Sequence, residues 1–223
     1  MSYASVFFDI DGTLLAIRPA PEVFYEQVCQ EYGLDWAGLA QVRAVALGFV
    51  QAHGLDYRDD EWGMWRAANR EAFLHLGAGE KAAACAARFQ ELFRAGSEYY
   101  LYPDVQPALE ALHARGYVLG ALTGRIHSSE AELVRLGIRP YLHFVLCAGE
   151  LGVQKPDPRM YREALARAGL PAEAVVLVGD QPDDVVGARS VGMTPVRIVR
   201  GRPVTEGEIV QIQDLRELLE WLP

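Results

Sequence analysis

Residues 7–15 read Phe-Phe-Asp-Ile-Asp-Gly-Thr-Leu-Leu, a run apolar enough for a buried strand that nevertheless carries two carboxylates, Asp9 and Asp11, separated by one isoleucine. An ionised carboxylate buried without a partner is strongly destabilising, so either compensating charge is supplied from elsewhere or the acids lie where the strand ends. Gly12 and Thr13 interrupt the strand pattern directly after them. In open parallel sheets ligands bind beyond the carboxyl ends of the strands, which places both acids at a crevice instead of in the core.

Working outward, short runs rich in Val, Ile and Phe recur at 4–8, 117–122, 144–148, 174–178 and 195–199. Stretches of helical periodicity separate them, the alternation expected of a parallel α/β sheet. Asp157 and Pro158 start one helix and Gly169 ends it, and Gly116, Gly137 and Gly192 close three others. The interval from Pro19 to about Gly96 holds no strand pattern. Pro21–Tyr32, Leu39–Val50, a segment marked by Trp62, Trp65, Phe73 and Leu76, and Glu80–Ala95 each repeat apolar residues at threes and fours. One layer of a doubly wound sheet has no room for four helices between its first two strands, so the expectation is an α/β, Rossmann-like doubly wound parallel sheet with an inserted α-helical cap. The expected boundaries are 1–17 with 97–223 for the core and 18–96 for the cap. The segment 211–221, IQDLRELLEW after its glutamine, is expected to dock as a C-terminal helix.

The chain has 223 residues, is 51% hydrophobic and 23% charged, and carries a net charge of −9. That composition is globular, and a domain of this size buries roughly 70% of its unfolded surface. An acidic chain without a basic stripe repels phosphate backbones, which argues against nucleic acid, yet a small anion can still enter a locally positive pocket. No apolar stretch reaches membrane-spanning length, so no membrane partner is expected and a cytoplasmic location is. Cys29, Cys85 and Cys147 lack the spacing of a zinc site or a disulfide framework and read as reduced thiols.

Four further residues stand at strand ends. Thr123 and Gly124 offer a hydroxyl and an approachable backbone N–H, suited to an anion or to a simple turn. Lys155 precedes a proline, which favours an extended conformation and presents the ammonium from a loop. Asp180 follows the strand at 174–178, and Asp184 comes four residues later at a helix start, where an acid is also ordinary helix chemistry. Each of these alone has a bland reading. Their order, Asp-x-Asp-Gly-Thr, then Thr, then Lys-Pro, then Gly-Asp-x-x-x-Asp, resembles the four motifs of the haloacid dehalogenase superfamily of phosphohydrolases along the whole chain, and the helical insertion resembles the family's C1 cap.

The resemblance implies a phosphatase that hydrolyses a small phosphorylated metabolite. Asp9 is then the nucleophile that forms an aspartyl-phosphate, and Asp11 the acid and base that protonates the leaving oxygen and activates water. It implies Mg²⁺ as cofactor, held by a carboxylate oxygen of Asp9, the backbone carbonyl of Asp11 and a carboxylate oxygen of Asp180, with Asp184 acting through water or orienting Lys155. Lys155, Thr123 and the backbone N–H groups near Gly12 and Gly124 would hold the phosphoryl oxygens. Many relatives have Asn where this chain has Gly124, so a side-chain amide contact is lost there; Arg125 reads as a substitute or, more simply, as a surface arginine. Arg58, Trp62, Trp65 and Arg66 lie near a loop of the cap and are either substrate contacts or helical-bundle core. A phosphomutase and a non-catalytic phospholigand-binding protein are the alternatives. The metal-independent dehalogenases of the superfamily lack the acid that Asp11 supplies. Monomer and homodimer are both compatible with the sequence.

Overall fold

The computed structural model describes residues 3–57, 59–201, 203–205, 207 and 209–222. Its strands are Ser5–Asp9 (β1), Leu15–Arg18 (β2), Glu98–Leu101 (β3), Val118–Thr123 (β4), Phe144–Cys147 (β5), Val175–Gly179 (β6), Thr194–Ile198 (β7) and Val210–Ile212 (β8). Its α-helices are Pro21–Tyr32 (α1), Leu39–His53 (α2), Glu61–His75 (α3), Ala82–Gly96 (α4), Val105–Ala114 (α5), Glu130–Arg135 (α6), Ala148–Leu151 (α7), Pro158–Ala168 (α8), Pro182–Val191 (α9) and Leu218–Trp221 (α10). The chain divides into two compact units, residues 1–16 with 100–223 and residues 17–99.

The first unit is built on a six-stranded sheet in the order β5-β4-β1-β6-β7-β8, every neighbouring pair parallel. β1 lies between β4 and β6, and all five of its residues are buried. Full burial on both faces explains why β1, β4 and β6 read as nearly continuous apolar runs instead of alternating ones. Burying each of Phe7 and Phe8 contributes about 1.5–3 kcal/mol. The Phe7 ring meets Phe144 of β5 edge to face, with centroids 5.1 Å apart. The reversal of strand order at β1 puts the ends of β4, β1 and β6 side by side, where a ligand crevice forms in such sheets.

Helix punctuation follows the sequence signals. Asp157 caps α8 by accepting the Arg159 N–H at 2.9 Å, Pro158 opens it, and Gly169 ends it in the left-handed conformation. α8 and α9 approach closely at Gly187, where an added Cβ would come within 1.9 Å of the Tyr161 ring. Gly187→Ala is therefore expected to destabilise the protein by about 1–3 kcal/mol through overpacking, although alanine favours helix elsewhere. A denaturant melt showing no loss would contradict that contact.

The second unit holds α1 to α4, as the periodicity implied. Phe24, Tyr25, Phe73 and Phe89 form its buried aromatic centre, and the Tyr25 hydroxyl donates to buried Asn69. Three of the aromatic and basic residues singled out in this unit sit on α3 and face its neighbours. Arg94 lies over the Trp62 ring at 4.5 Å, Arg66 Nε donates to Gln90 Oε1 at 3.1 Å, and Trp65 packs against the apolar cluster. Arg58 lies outside the described residues.

Three short strands escaped the sequence reading. β2 and β3 pair in a two-stranded sheet, and the chain passes between the two units within them. They are four residues each and mostly half-buried, too short for a clear pattern. β8 has only three residues and pairs with β7 where a docking helix was expected to begin. That helix is shorter than expected: a 3-10 turn at Leu215–Glu217 followed by α10, anchored by buried Leu215 and Leu218. No helix among the described residues is long and apolar enough to cross a membrane.

Candidate active site

Asp9 closes β1, and the chain then folds back on itself at once. The Leu14 and Leu15 N–H groups donate to the Ile10 carbonyl at 2.9 and 2.8 Å, and the Gly12 N–H donates to the Leu15 carbonyl at 2.8 Å. Gly12 turns this loop at φ +84°, and a Cβ there would lie 2.6 Å from the Asp180 carboxylate. Only glycine meets both demands, the left-handed backbone and the close approach of an acid from the next strand.

Asp180 follows β6, and Asp184 lies in the first turn of α9. Asp184 Oδ2 accepts the Gln181 N–H at 3.2 Å in a reciprocal capping arrangement that fixes the start of the helix. Its other oxygen faces the site. Lys155, in the turn that precedes α8, donates from Nζ to Asp9 Oδ1 at 2.6 Å and to Asp184 Oδ1 at 2.7 Å. Asp9, Lys155 and Asp184 are all buried, at 7%, 9% and 2% exposure. The presented loop lysine of the sequence reading is thus an enclosed one, held between two acids from different elements.

The charges do not balance. Oxygens of Asp9, Asp180 and Asp184 all lie within 4.8 Å of one another, and one ammonium stands against the three carboxylates. Burial raises the Asp9 carboxyl well above its ordinary range; Lys155 opposes this, and the Asp184 and Asp180 charges add to it. Burial, joined by the Asp184 charge, likewise lifts Asp180 to about 6. Burial pulls the Lys155 ammonium down, but Asp184 and Asp9 outweigh it and leave the group more basic than a free lysine. Asp180 Oδ1 is buried with no hydrogen-bond partner. An all-oxygen donor set with surplus negative charge and an orphaned carboxylate oxygen fits a hard divalent cation such as Mg²⁺.

Asp11 does not bring its carboxylate into that cluster. Half-exposed, it is gripped by Arg125, whose Nε and Nη2 donate to Oδ2 and Oδ1 at 2.7 and 2.6 Å. The reading of Arg125 as a simple surface arginine is therefore corrected: its side chain is 20% exposed and also bonds Glu132 Oε2 at 2.6 Å. Residue spacing could not show this, because the direction of a long side chain leaving a loop is set by what surrounds it. Thr123 is buried, and its hydroxyl oxygen accepts the Arg125 backbone N–H at 3.1 Å. Beside Gly124, the space a side chain would take is occupied by Gln154, whose Oε1 lies 3.3 Å from the position of an added Cβ. Gln154, Gln181 and Glu132 had no sequence signal beyond their nearness to the motif residues.

Residues 3–192 match the family model described as haloacid dehalogenase-like hydrolase. The chain belongs to the haloacid dehalogenase-like hydrolases. Among curated members of similar sequence, the phosphoserine phosphatase of Thermus thermophilus is 31% identical over 241 aligned positions that cover 96% of each chain. The phosphoglycolate phosphatase of Pseudomonas fluorescens is 27% identical, over 96% of this chain and 78% of its own length. Among solved structures, a 2-haloacid dehalogenase from Pseudomonas syringae is similar at 29% identity with a TM-score of 0.61, covering 99% of this chain and 97% of its own. The haloacid dehalogenase-like fold thus houses both phosphatases and dehalogenases among this chain's relatives.

Proposed function

We propose that this hydrolase is a Mg²⁺-dependent phosphatase that cleaves a small phosphomonoester through an aspartyl-phosphate. The observation that carries the reading is the buried cluster in which Lys155 holds Asp9 while Asp180 keeps an unpartnered oxygen beside it. Such a site repels an anion until cations are in place, and then attracts a phosphoryl group to the one carboxylate poised at the strand end. The two curated phosphatases named above support the same class of substrate.

In this mechanism an Asp9 oxygen attacks phosphorus, the P–O bond to the leaving group breaks, and Asp11 gives that oxygen its proton. Asp11 then takes a proton from water, the resulting hydroxide attacks phosphorus, and the Asp9–phosphorus bond breaks to release phosphate. Lys155 offsets charge on the phosphoryl oxygens from its fixed place between Asp9 and Asp184. The Thr123 hydroxyl, already accepting from Arg125, has its own proton to donate to the phosphoryl group. Asp9, Asp180 and the Asp11 carbonyl would hold Mg²⁺, which supplies charge neutralisation at the phosphoryl oxygens. We place the enzyme in the cytoplasm, a location supported by three buried cysteines that form no disulfide.

The test is phosphate release from aryl phosphate, O-phosphoserine and phosphoglycolate, run beside halide release from a 2-haloacid. Phosphate release is expected only with Mg²⁺, to vanish with EDTA and to return when the metal is restored. Halide release, or no turnover of any phosphate ester, would overturn the reading.

A further inference from the structure

We propose that the Arg125 guanidinium is a receptor for a carboxylate on the leaving-group side of the substrate, and that Asp11 occupies this receptor until the substrate arrives. The inference rests on the phosphatase reading above and names the class of ester it selects.

The receptor is already built. Nε and Nη2 of Arg125 hold the two oxygens of one carboxylate at 2.7 and 2.6 Å, the paired geometry in which guanidinium groups bind carboxylates best. The remaining nitrogen, Nη1, is tied to Glu132 Oε2 at 2.6 Å and to Ser129 Oγ at 3.4 Å, and the backbone N–H of Arg125 is tied to Thr123 at 3.1 Å. These bonds leave the carboxylate-binding edge fixed while its present occupant stays half-exposed, at 46%. An ion pair of that exposure is weak and exchangeable.

The pairing also conflicts with the work assigned to Asp11. A carboxylate that accepts from a guanidinium through both oxygens has neither oxygen free to hand a proton to a leaving group. Asp11 must therefore be released when the ester is in place, and the most economical release is exchange, in which an incoming carboxylate takes the two N–H bonds that Asp11 gives up. Because Asp11 serves the leaving oxygen, a group exchanged for it lies on the leaving-group side, away from the phosphoryl end governed by Lys155 and Asp9. Arg125 stays paired throughout, so no buried charge is stranded. The chemical class that fits is a short phosphomonoester whose alcohol portion carries a carboxylate. An alcohol portion without one leaves Asp11 in the receptor and the acid engaged.

The experiment compares KM and kcat for O-phosphoserine and phosphoglycolate with those for glycerol phosphate and aryl phosphate, in the wild type, Arg125→Lys and Arg125→Ala. Wild type is expected to favour the carboxylate-bearing pair. In Arg125→Ala the ratio of the KM values for the two classes is expected to collapse by about 30-fold, the effect of losing a charge-assisted bidentate contact. Arg125→Lys, which keeps the charge and loses the fork, is expected to recover only part of that ratio, and added guanidinium to restore more of it in Arg125→Ala. An equal change for both classes, or unchanged KM values with only kcat reduced, would overturn the proposal while leaving the phosphatase reading intact. Absence of phosphate release from every ester by the wild type would overturn both. If Arg125→Ala does not fold, the same ratio measured in Arg125→Lys decides the matter.

Discussion

An Asp9→Asn enzyme is expected to lose phosphate release by at least about 10⁴-fold while remaining folded. A carboxamide oxygen of the same shape carries no negative charge and is a poor nucleophile toward phosphorus, so the first displacement has no substitute route. The fold is expected to survive because Lys155 keeps its second partner, Asp184, at 2.7 Å, and the rest of β1 stays packed through Val6, Phe7 and Phe8. The removed charge even relieves an excess, since Asp9 is one of three carboxylates around one ammonium. Quenched-flow trapping with radiolabelled ester is expected to find a phosphorylated wild-type protein and no labelled variant. Turnover within tenfold of the wild type, in a variant of unchanged melting temperature, would rule out Asp9 as the attacking group.

Lys155→Met is expected to fail differently, by stability as well as by activity. The ammonium is the cation that both Asp9 and Asp184 touch, and its loss leaves two buried acids facing one another. Removing one partner of a buried ion pair costs about 3–5 kcal/mol, a large share of the stability of an ordinary domain. Equilibrium unfolding in urea is the measurement. Part of the loss is expected to return on adding Mg²⁺, because a ligand that binds only the folded state at 100 times its dissociation constant stabilises by about 2.7 kcal/mol. Wild-type stability in the variant, with or without metal, would mean that Lys155 does not neutralise this cluster.

The core of the site could be read from the sequence because the fold itself does the gathering. Asp9 and Lys155 are 146 positions apart, yet both lie beyond the ends of neighbouring strands, and a parallel sheet brings such positions together whatever the chain does between them. The four helices of the inserted unit were legible for a similar reason, since their apolar spacing runs over many residues. What escaped depends on shorter or more directional information. β8 has three residues, and β2 and β3 have four, too few for periodicity to declare itself. Arg125 follows Thr123 and Gly124 in plain view, but whether its guanidinium reaches water, the phosphoryl group or Asp11 depends on Glu132 and Ser129, which no motif marks. The Gln154 carboxamide beside Gly124 belongs to the same class, a side chain arriving from another segment to fill a space left by a missing one.

Two glycines set the dimensions of the acidic centre. A Cβ at Gly12 would press within 2.6 Å of Asp180, and one at Gly179 would come within 2.2 Å of Asp184. The acids are therefore seated against bare backbone, and the space around them is no larger than a hydrogen atom allows. Such a centre is as vulnerable to gain as to loss: one extra methyl group at either glycine displaces a carboxylate that every charged residue of the site would still be present to use.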